Sequence, residues 1–449
     1  MLQKSVALGQ AIGGHGIVTS IMEDQEQINH QVLIPCITRF CLSALFLASA
    51  CASHASGFSV PGGLSIAGLG TADTLVANHV EVGALAYNPA AMSFHKDRNI
   101  VLGLTAVWPD SRVTPEGESN RVSDDPDSPI FVPNLYMMTP VTDSWTVGVG
   151  VNAPFGLETN WQEGTFPAFA GPLAPLEPTK TRLEMFNLNP NISYQLNEHA
   201  SFAAGLDYYR VREATSDTQG VRLSGDGDDL GWNAAFMYVL DRWSFGLSYL
   251  SAVEVELDGQ FDARQALGFK VDSKTDLDFP DILRLGVRYQ ATEKLAVEFD
   301  FDRTGWSAFD EIVVKSADNV PAVGISSGDI LAVTTNNWDD TNSYHFGATY
   351  QVLPATQLRF GYTLNENPQP ESYFSPRYPN ARRHLFSAGL KQAYKGWDLE
   401  GGIMYGRWED RTVDNKQPFT GGDANGTSAY NGKYELDGIL AGRGVNFYF

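Results

Sequence analysis

From about residue 99 to the end of the chain, short segments of strict apolar–polar alternation recur, and their connections are alternately tight and long. Leu295, Val297, Phe299 and Phe301 alternate with Ala296, Glu298, Asp300 and Asp302. Trp243, Phe245, Leu247 and Tyr249 alternate with Ser244, Gly246 and Ser248, and Leu283, Leu285, Val287 and Tyr289 with Arg284, Gly286 and Arg288. A period of two places the two sets on opposite faces of a strand. One such segment suits a soluble sandwich equally well, so the argument rests on number and spacing. Strands are predicted near 99–111, 130–139, 144–154, 181–196, 201–214, 229–240, 242–257, 276–291, 294–306, 341–352, 356–366, 382–393, 396–410 and 432–449. Tight connections fall at Pro140–Asp143, Asn197–His199, Leu240–Arg242, Ala291–Glu293, Leu353–Ala355 and Tyr394–Lys395. Long polar ones fall between them, at Glu116–Asp127, Phe155–Lys180, Ser307–Asp340 and Arg411–Asn431. An even strand number with short turns at one end and long loops at the other is the pattern of an outer-membrane barrel. The predicted fold class is all-β: a transmembrane antiparallel β-barrel of about 14 strands with an N-terminal hatch, or plug, inside the lumen.

Composition agrees. Glycine (43), phenylalanine (25) and tyrosine (18) are plentiful, and charged residues make up only 19% of the 449. No apolar run reaches the ~18 residues of a transmembrane helix. The longest, Phe40 to Ala52, precedes Ser53-His54-Ala55-Ser56 and reads as a signal-peptide core with a cut after Ala55. The residues before it are long for a signal, and Met22 is an alternative start; a lipid-attachment reading at Cys51 is a further alternative. All three cysteines (Cys36, Cys41, Cys51) lie in this presequence, so no disulfide or thiolate site is expected beyond it. The formal charge of −22 excludes nucleic acid as a partner.

Three divisions follow: residues 1–55 as signal peptide with an N-terminal extension, 56–97 as hatch, and 98–449 as barrel. The stretch from Ser56 to Asp97 is rich in Gly, Ala and Ser and carries Phe58, Val60, Leu64, Ile66 and Leu69. It is too apolar for a disordered tail and too small to fold alone, so its economical place is inside the barrel. The chain closes on Val445, Phe447 and Phe449, alternating with Asn446 and Tyr448. A terminal aromatic on the lipid side is the expected recognition signal for the barrel-assembly machinery.

The chain also resembles the outer-membrane long-chain fatty-acid and aromatic-hydrocarbon transporter family (FadL/TodX-like). The likeness is carried by Gly57-Phe58-Ser59, Gly68-Leu69-Gly70-Thr71-Ala72 and Tyr87-Asn88-Pro89-Ala90-Ala91-Met92 in the first segment. Phe131-Val132-Pro133-Asn134, Asn152-Ala153-Pro154-Phe155-Gly156, Phe279-Pro280-Asp281, Trp306-Ser307 and Asn365-Glu366-Asn367-Pro368 follow in order. The resemblance implies uptake of hydrophobic molecules, foremost long-chain fatty acids, with aromatic hydrocarbons as the alternative. It also implies a gate at Asn88, Pro89 and Ala90, with Glu366, and a kinked third strand at Pro154, Phe155 and Gly156 that opens sideways. The connections near Ser216–Asp228 and Asp258–Thr275 are shorter than the apolar insertions some members carry there.

Candidate ligand-binding residues are Phe58 and Leu64 in the hatch, the apolar loop residues Trp161, Phe166 and Phe169, and Arg210, Arg212 and Arg284. The loop is expected to be a capture patch because exposed apolar clusters mark binding surfaces. Arg284 and Arg288 face the lumen beside Glu298, Asp300 and Asp302 of the next strand, with Arg284 opposite Asp300 or Asp302, so they read first as a cross-strand ion ladder and second as carboxylate binders. Gly225-Asp226-Gly227-Asp228-Asp229 is a fragment of a calcium loop and reads as a solvated turn. Expected partners are a fatty acid or other hydrophobic ligand and outer-membrane lipid with lipopolysaccharide; no cofactor or metal is expected, and no catalytic residues. Two competing functions remain: a general or sugar-selective porin, which would have an open lumen, and an outer-membrane enzyme, for which no serine–histidine pair stands out.

Overall fold

The computed structural model describes residues 57–449, so the signal-peptide and Cys51 readings lie outside the described residues. Among these residues fourteen antiparallel strands form the wall. They are β1 (Asn99–Pro115), β2 (Ile130–Pro140), β3 (Trp145–Asn152, resuming as Gly156–Asn160), β4 (Pro178–Gln195), β5 (Ala200–Thr218), β6 (Arg222–Leu240) and β7 (Trp243–Leu250, resuming as Val253–Ala263). There follow β8 (Phe269–Phe279 and Ile282–Gln290), β9 (Leu295–Thr304 and Glu311–Ser316), β10 (Ile330–Thr335 and Thr341–Leu353), β11 (Thr356–Asn365), β12 (Arg383–Tyr394), β13 (Trp397–Trp408) and β14 (Gly432–Tyr448). The first and last strands pair along their whole length, from Asn99↔Tyr448 to Pro115↔Gly432, and close the barrel.

The strands run further than alternation suggested. Ser307–Asp340, read as a loop, carries the paired strand segments Glu311–Ser316 and Ile330–Thr335. The connections after the fifth and seventh strands shrink to residues 219–221 and 264–268. The cause is polarity: Asp226, Asp228, Glu256 and Asp258 project from the exposed outer face, so these strand ends carry the charge expected of a loop.

Two faces differ as the pattern requires. Every strand places at least one large exposed apolar side chain outside, among them Leu102, Phe131, Val147, Ile192, Leu206, Trp232, Leu247, Leu285, Phe346 and Ile403. Such a continuous apolar belt is stable only against lipid. At the tight-turn end Trp145 stacks near Tyr194 (4.5 Å), Trp243 near Tyr289 (4.4 Å) and Tyr394 on Trp397 (4.3 Å). These rings form the interfacial girdle that amphipathic aromatics favour.

Residues 57–98 pack against the inward rows. Ser65 caps the short helix α1 (Ile66–Thr71) by accepting from Gly68 N (3.0 Å), and Ala72 and Asp73 end it in left-handed conformation (φ 52° and 65°). Asn88 caps the 3₁₀ turn Pro89–Phe94, with proline at the position where no N–H is needed. The segment approaches the wall so closely that many inward positions facing it are glycine. A Cβ at Gly246 would lie 2.0 Å from the Val76 oxygen, at Gly361 2.1 Å from the Thr71 carbonyl carbon, and at Gly389 2.8 Å from the Gly70 Cα. Gly148, Gly347 and Gly442 face Met92, Thr74 and Ile66 at similarly forbidden distances. Close backbone approach at these glycines adds to side-chain clusters such as Ile66 and Leu69 with Leu385, Met404 and Leu440.

Gly361→Ala is expected to cost about 1–3 kcal/mol by overpacking against Thr71. Gly401→Ala, whose new Cβ would meet nothing nearer than 3.7 Å, is expected to be neutral. Denaturation midpoints of the two purified variants check this.

Candidate functional site

A cavity of about 590 Å³ lies among the loop-end halves of β4 to β10. Leu183, Leu223, Leu257, Leu277, Ile312 and Val333 line it, and the volume falls in the ~300–1,000 Å³ range of small-molecule pockets. One guanidinium shares this apolar wall. Arg377, half-buried, donates from Nη1 to the Asp217 backbone oxygen (2.9 Å) and to Thr181 Oγ1 (3.3 Å). Among the described residues no carboxylate comes within 4.0 Å of it; Asp423 also lines the cavity, but its oxygens accept from Thr335 N and Asn425 N. Arg377 thus holds a positive charge beside apolar surface with only neutral acceptors engaged.

Phe58 belongs to the cavity wall and to a dense aromatic cluster. Its ring lies 4.6 Å from Trp306, 5.3 Å from Phe309, 5.8 Å from Trp338 and 5.9 Å from Phe155, in the favoured edge-to-face range. The Trp306 indole covers Gly57 so closely that a Cβ there would lie 2.1 Å from its ring. Trp306 in turn lines a second chamber of about 80 Å³, with Leu64, Asp73, Tyr87, Pro154, Arg284, His345 and Arg383. A third space of about 20 Å³ shares Leu64, Tyr87, Pro154 and Arg284 and adds Pro89. Of the expected residues, Leu64, Pro154 and Arg284 line both small spaces, Pro89 the smaller one and Phe58 the large cavity.

The wall is incomplete beside this region. β3 pairs with β2 only from Leu135↔Val151 to Pro140↔Thr146, and it breaks at residues 153–155, where proline cannot donate. The N-terminal segment covers the break from within. Val60 N donates to the Pro154 oxygen (3.1 Å), Gly156 N donates to the Phe58 oxygen (3.0 Å), and Ser59 bridges Phe155. On the other side of the gap Tyr136 donates to the Leu64 oxygen (2.7 Å) and Asn134 to the Gly63 oxygen (3.4 Å).

Further along, the segment is held by charge. Val76 N donates to Asp300 Oδ2 and Ala77 N to Glu298 Oε1, both at 2.8 Å. Glu81 receives Arg359 Nη2 (2.7 Å) and Lys391 Nζ (2.9 Å), and Arg359 also meets Glu400 (3.0 Å). Burial alone would raise the Glu81 pKa, but Arg359 and Lys391 outweigh it and hold the carboxyl below the usual range. Asn88 Nδ2 donates to the Val76 oxygen (2.9 Å) and to the strand oxygen of Phe236 (3.1 Å), while Ala90 O accepts from Ser201 (2.8 Å). Glu366 stands apart from this contact and caps the Asn342 amide (2.7 Å).

Other expected residues are placed differently. Trp161, Phe166 and Phe169 are each 2% exposed, packed with Tyr430 and Phe374, so these three rings form no open apolar patch. The loop's short 3₁₀ turns fold its rings inward, and Trp161 Nε1 donates to the Pro376 oxygen (2.9 Å). Arg210 and Arg212 do not reach the lumen. They fall on the outward row near a bulge, where Arg210 meets Asp226 and Asp228 and Arg212 meets Glu184 (3.0 Å). Arg284 keeps an acid partner, Asp302 (3.4 Å), as the ladder reading anticipated. Asp226 and Asp228 lie within β6 and are spent on Arg210, so the calcium-loop fragment is strand. Sequence reading passed over Arg377 and Arg383. The available signal was Phe374-Ser375-Pro376-Arg377-Tyr378-Pro379, an arginine among aromatics and prolines with no acid nearby.

A family model described as "Outer membrane protein transport protein (OMPP1/FadL/TodX)" matches residues 46–449. The chain is 24% identical to a long-chain fatty acid transport protein of Escherichia coli, over 92% of this chain and 99% of that one. It is 26% identical to the 47 kDa outer membrane protein of Pasteurella multocida, over 80% and 89%. In fold it is similar to a Pseudomonas aeruginosa FadL homologue (TM-score 0.72, 16% identity, 87% and 99% covered). It is similar also to the Pseudomonas putida toluene transporter TodX (TM-score 0.66, 17% identity, 88% and 99% covered).

Glu81→Gln is expected to loosen residues 76–84. Losing one charged partner of Arg359 and Lys391 costs about 1.5–3 kcal/mol, so their amides should exchange roughly ten- to a hundredfold faster. In the native protein this hold is present above the ordinary carboxylate pKa of ~4.3 and lost only as pH falls below that range. Hydrogen exchange at pH 7 checks the substitution.

Proposed function

Because the chain belongs to the outer membrane protein transport protein family (OMPP1/FadL/TodX), whose members carry hydrophobic molecules across the outer membrane, we propose that its substrates are long-chain fatty acids. The observation that carries this reading is Arg377. An alkyl chain needs only the apolar wall; a guanidinium without an acid partner, facing that wall, suits a ligand with a carboxylate at one end. In this reading the fatty acid enters between the loops and lies in the 590 Å³ cavity with its carboxylate on Arg377. Residues 57–97 act as the hatch, and Phe58 is the ring the ligand must displace. Movement of residues 58–64 uncovers the break in β3, and the acyl chain leaves sideways into the lipid. Asn88 ties the remainder of the hatch to Phe236, so the moving part is the stretch before α1. Phe449, 73% exposed at the end of the last strand, offers the barrel-assembly machinery its aromatic terminus.

Uptake of labelled oleate and toluene by cells lacking their own transporter tests the substrate. Oleate uptake supports the proposal, toluene uptake alone makes the chain a hydrocarbon channel, and uptake of neither with a folded barrel rejects both. Binding supplies a second check. Arg377→Gln is expected to weaken oleate binding to the purified protein about tenfold or more, one charge-assisted hydrogen bond, and to leave oleyl alcohol binding unchanged.

A further inference from the structure

The outward row of the last strand carries a charge in the middle of the apolar belt. Along β14 the side chains of Ile439, Ala441, Arg443, Val445 and Phe447 point outward, and Arg443 is exposed. It stands four residues from Phe447, which pairs with Trp397, and four from Ile439, which pairs with Trp108 and Tyr405. These rings mark the two edges of the belt on this face: Trp397 stacks on Tyr394 at the tight-turn end, and Trp108 and Tyr405 are 40% and 42% exposed. At ~3.4 Å per residue and a tilt of ~35–45°, Arg443 lies about 10 Å in from each edge of a belt ~25 Å tall. Charge returns beyond the upper edge, where Asp437 meets Arg407 (3.8 Å) and Arg112. Among the described residues the Arg443 side chain forms no ion pair and no hydrogen bond. Its ladder partners are Leu104 on β1 and Gly401 on β13, and a Cβ at Gly401 would meet nothing nearer than 3.7 Å, so the flank of the arginine is bare.

On the lipid face an arginine is costliest at mid-belt, and long cationic side chains escape to the head groups only near a belt edge. The row that holds Arg443 leads to the break in the wall. Arg443 pairs with Leu104, Leu104 pairs with Pro133 on β2, and the ladder from β2 to β3 ends one outward position below Pro133, at Leu135↔Val151. With strands ~4.8 Å apart, Arg443 stands about 10 Å along the outer face from the strand edge that borders the break. Leu104 and Phe131, 41% and 61% exposed, keep the surface between them apolar. A carboxylate emerging at this depth is as badly placed in lipid as the guanidinium, and a bidentate pair relieves both. Phosphates of the membrane lie beyond the edges of the belt, whereas the break opens in the row of Arg443 itself. We propose that Arg443 receives, on the outer face of the barrel, the carboxylate of an anionic amphiphile released sideways through the β3 break. The acyl chain enters the lipid first, and the arginine meets the head group that follows. A neutral ligand gains nothing from it, so Arg443 sets specificity at release rather than at capture. The inference rests on the fatty-acid reading and the sideways exit above.

The test measures initial uptake of labelled oleate and oleyl alcohol in cells expressing the full chain, as wild type, Arg443→Leu, Arg443→Gln and Arg443→Lys. Folding is read from heat-modifiable migration, and rates are taken per folded barrel. Arg443→Leu and Arg443→Gln are expected to lower the oleate-to-alcohol uptake ratio about tenfold. Arg443→Lys is expected to lower it only about threefold, because charge is kept and the bidentate fork is lost. Oleate binding to purified Arg443→Leu should equal that of the wild type, since the arginine acts after the cavity has been left. A wild-type uptake ratio in Arg443→Leu overturns the proposal and leaves the fatty-acid reading intact. An equal loss of both substrates overturns it as well and assigns the arginine to a membrane phosphate or a neighbouring protein. Weakened oleate binding by the purified variant also overturns it, as the signature of a disturbed barrel. Should Arg443→Leu fail to assemble, Arg443→Gln decides by the same readings. A wild-type protein that takes up no oleate removes the fatty-acid reading and this proposal together.

Discussion

In lipid every backbone N–H and C=O must find a partner within the protein, and the rest of this structure depends on how that requirement is met. Among the described residues fourteen strands meet much of it by closing β1 on β14, but β2 and β3 part above Leu135↔Val151. There the N-terminal residues 58–60 bond to the broken strand. The same few residues carry Phe58 into the aromatic layer beneath the large cavity. Wall closure and cavity floor are thus one piece of chain, and neither can change without the other.

The remainder of the segment is fixed in a different manner. Glycines let it approach the wall to backbone contact, and buried acids bind its amides. Such networks are costly when half-satisfied and rigid when complete. The grip of Glu298, Asp300, Arg359 and Lys391 lies on residues 76–81, whereas residues 57–64 are held by backbone hydrogen bonds, Asp73 and aromatic packing. The division leaves the break in the wall covered by backbone hydrogen bonds and ring packing.

Much of the fold was legible because each strand repeats one rule. Alternation gave the faces of Leu283–Tyr289 and Leu295–Asp302 and the pairing of Arg284 with its acid. It understated strands such as β6 and β7, whose water-exposed ends bear Asp226, Asp228, Glu256 and Asp258 and so look like loop. The candidate site was half legible. Phe58, Pro89 and Pro154 belong to the ordered motifs, and with Leu64 and Arg284 they line three separate spaces near the N-terminal segment. Trp161, Phe166 and Phe169 signalled an exposed patch because nothing local tells a ring that packs from a ring that is offered. Arg377 had a local signal in its aromatic and proline neighbours, but which acids stay away from it is decided across the fold and leaves no local pattern.

In the proposed function, residues 58–64 must leave the β3 break for substrate to pass. Ser59 and Phe155 stand opposite each other there, and with Cys36, Cys41 and Cys51 replaced by serine a Ser59→Cys/Phe155→Cys pair can be oxidised cleanly. Antiparallel partners at ~4.5–5.5 Å between Cα atoms suit a disulfide. The measurement is oleate uptake by the same double variant, oxidised and then reduced. The account predicts transport only after reduction; equal uptake in both states, with the crosslink verified, would contradict it.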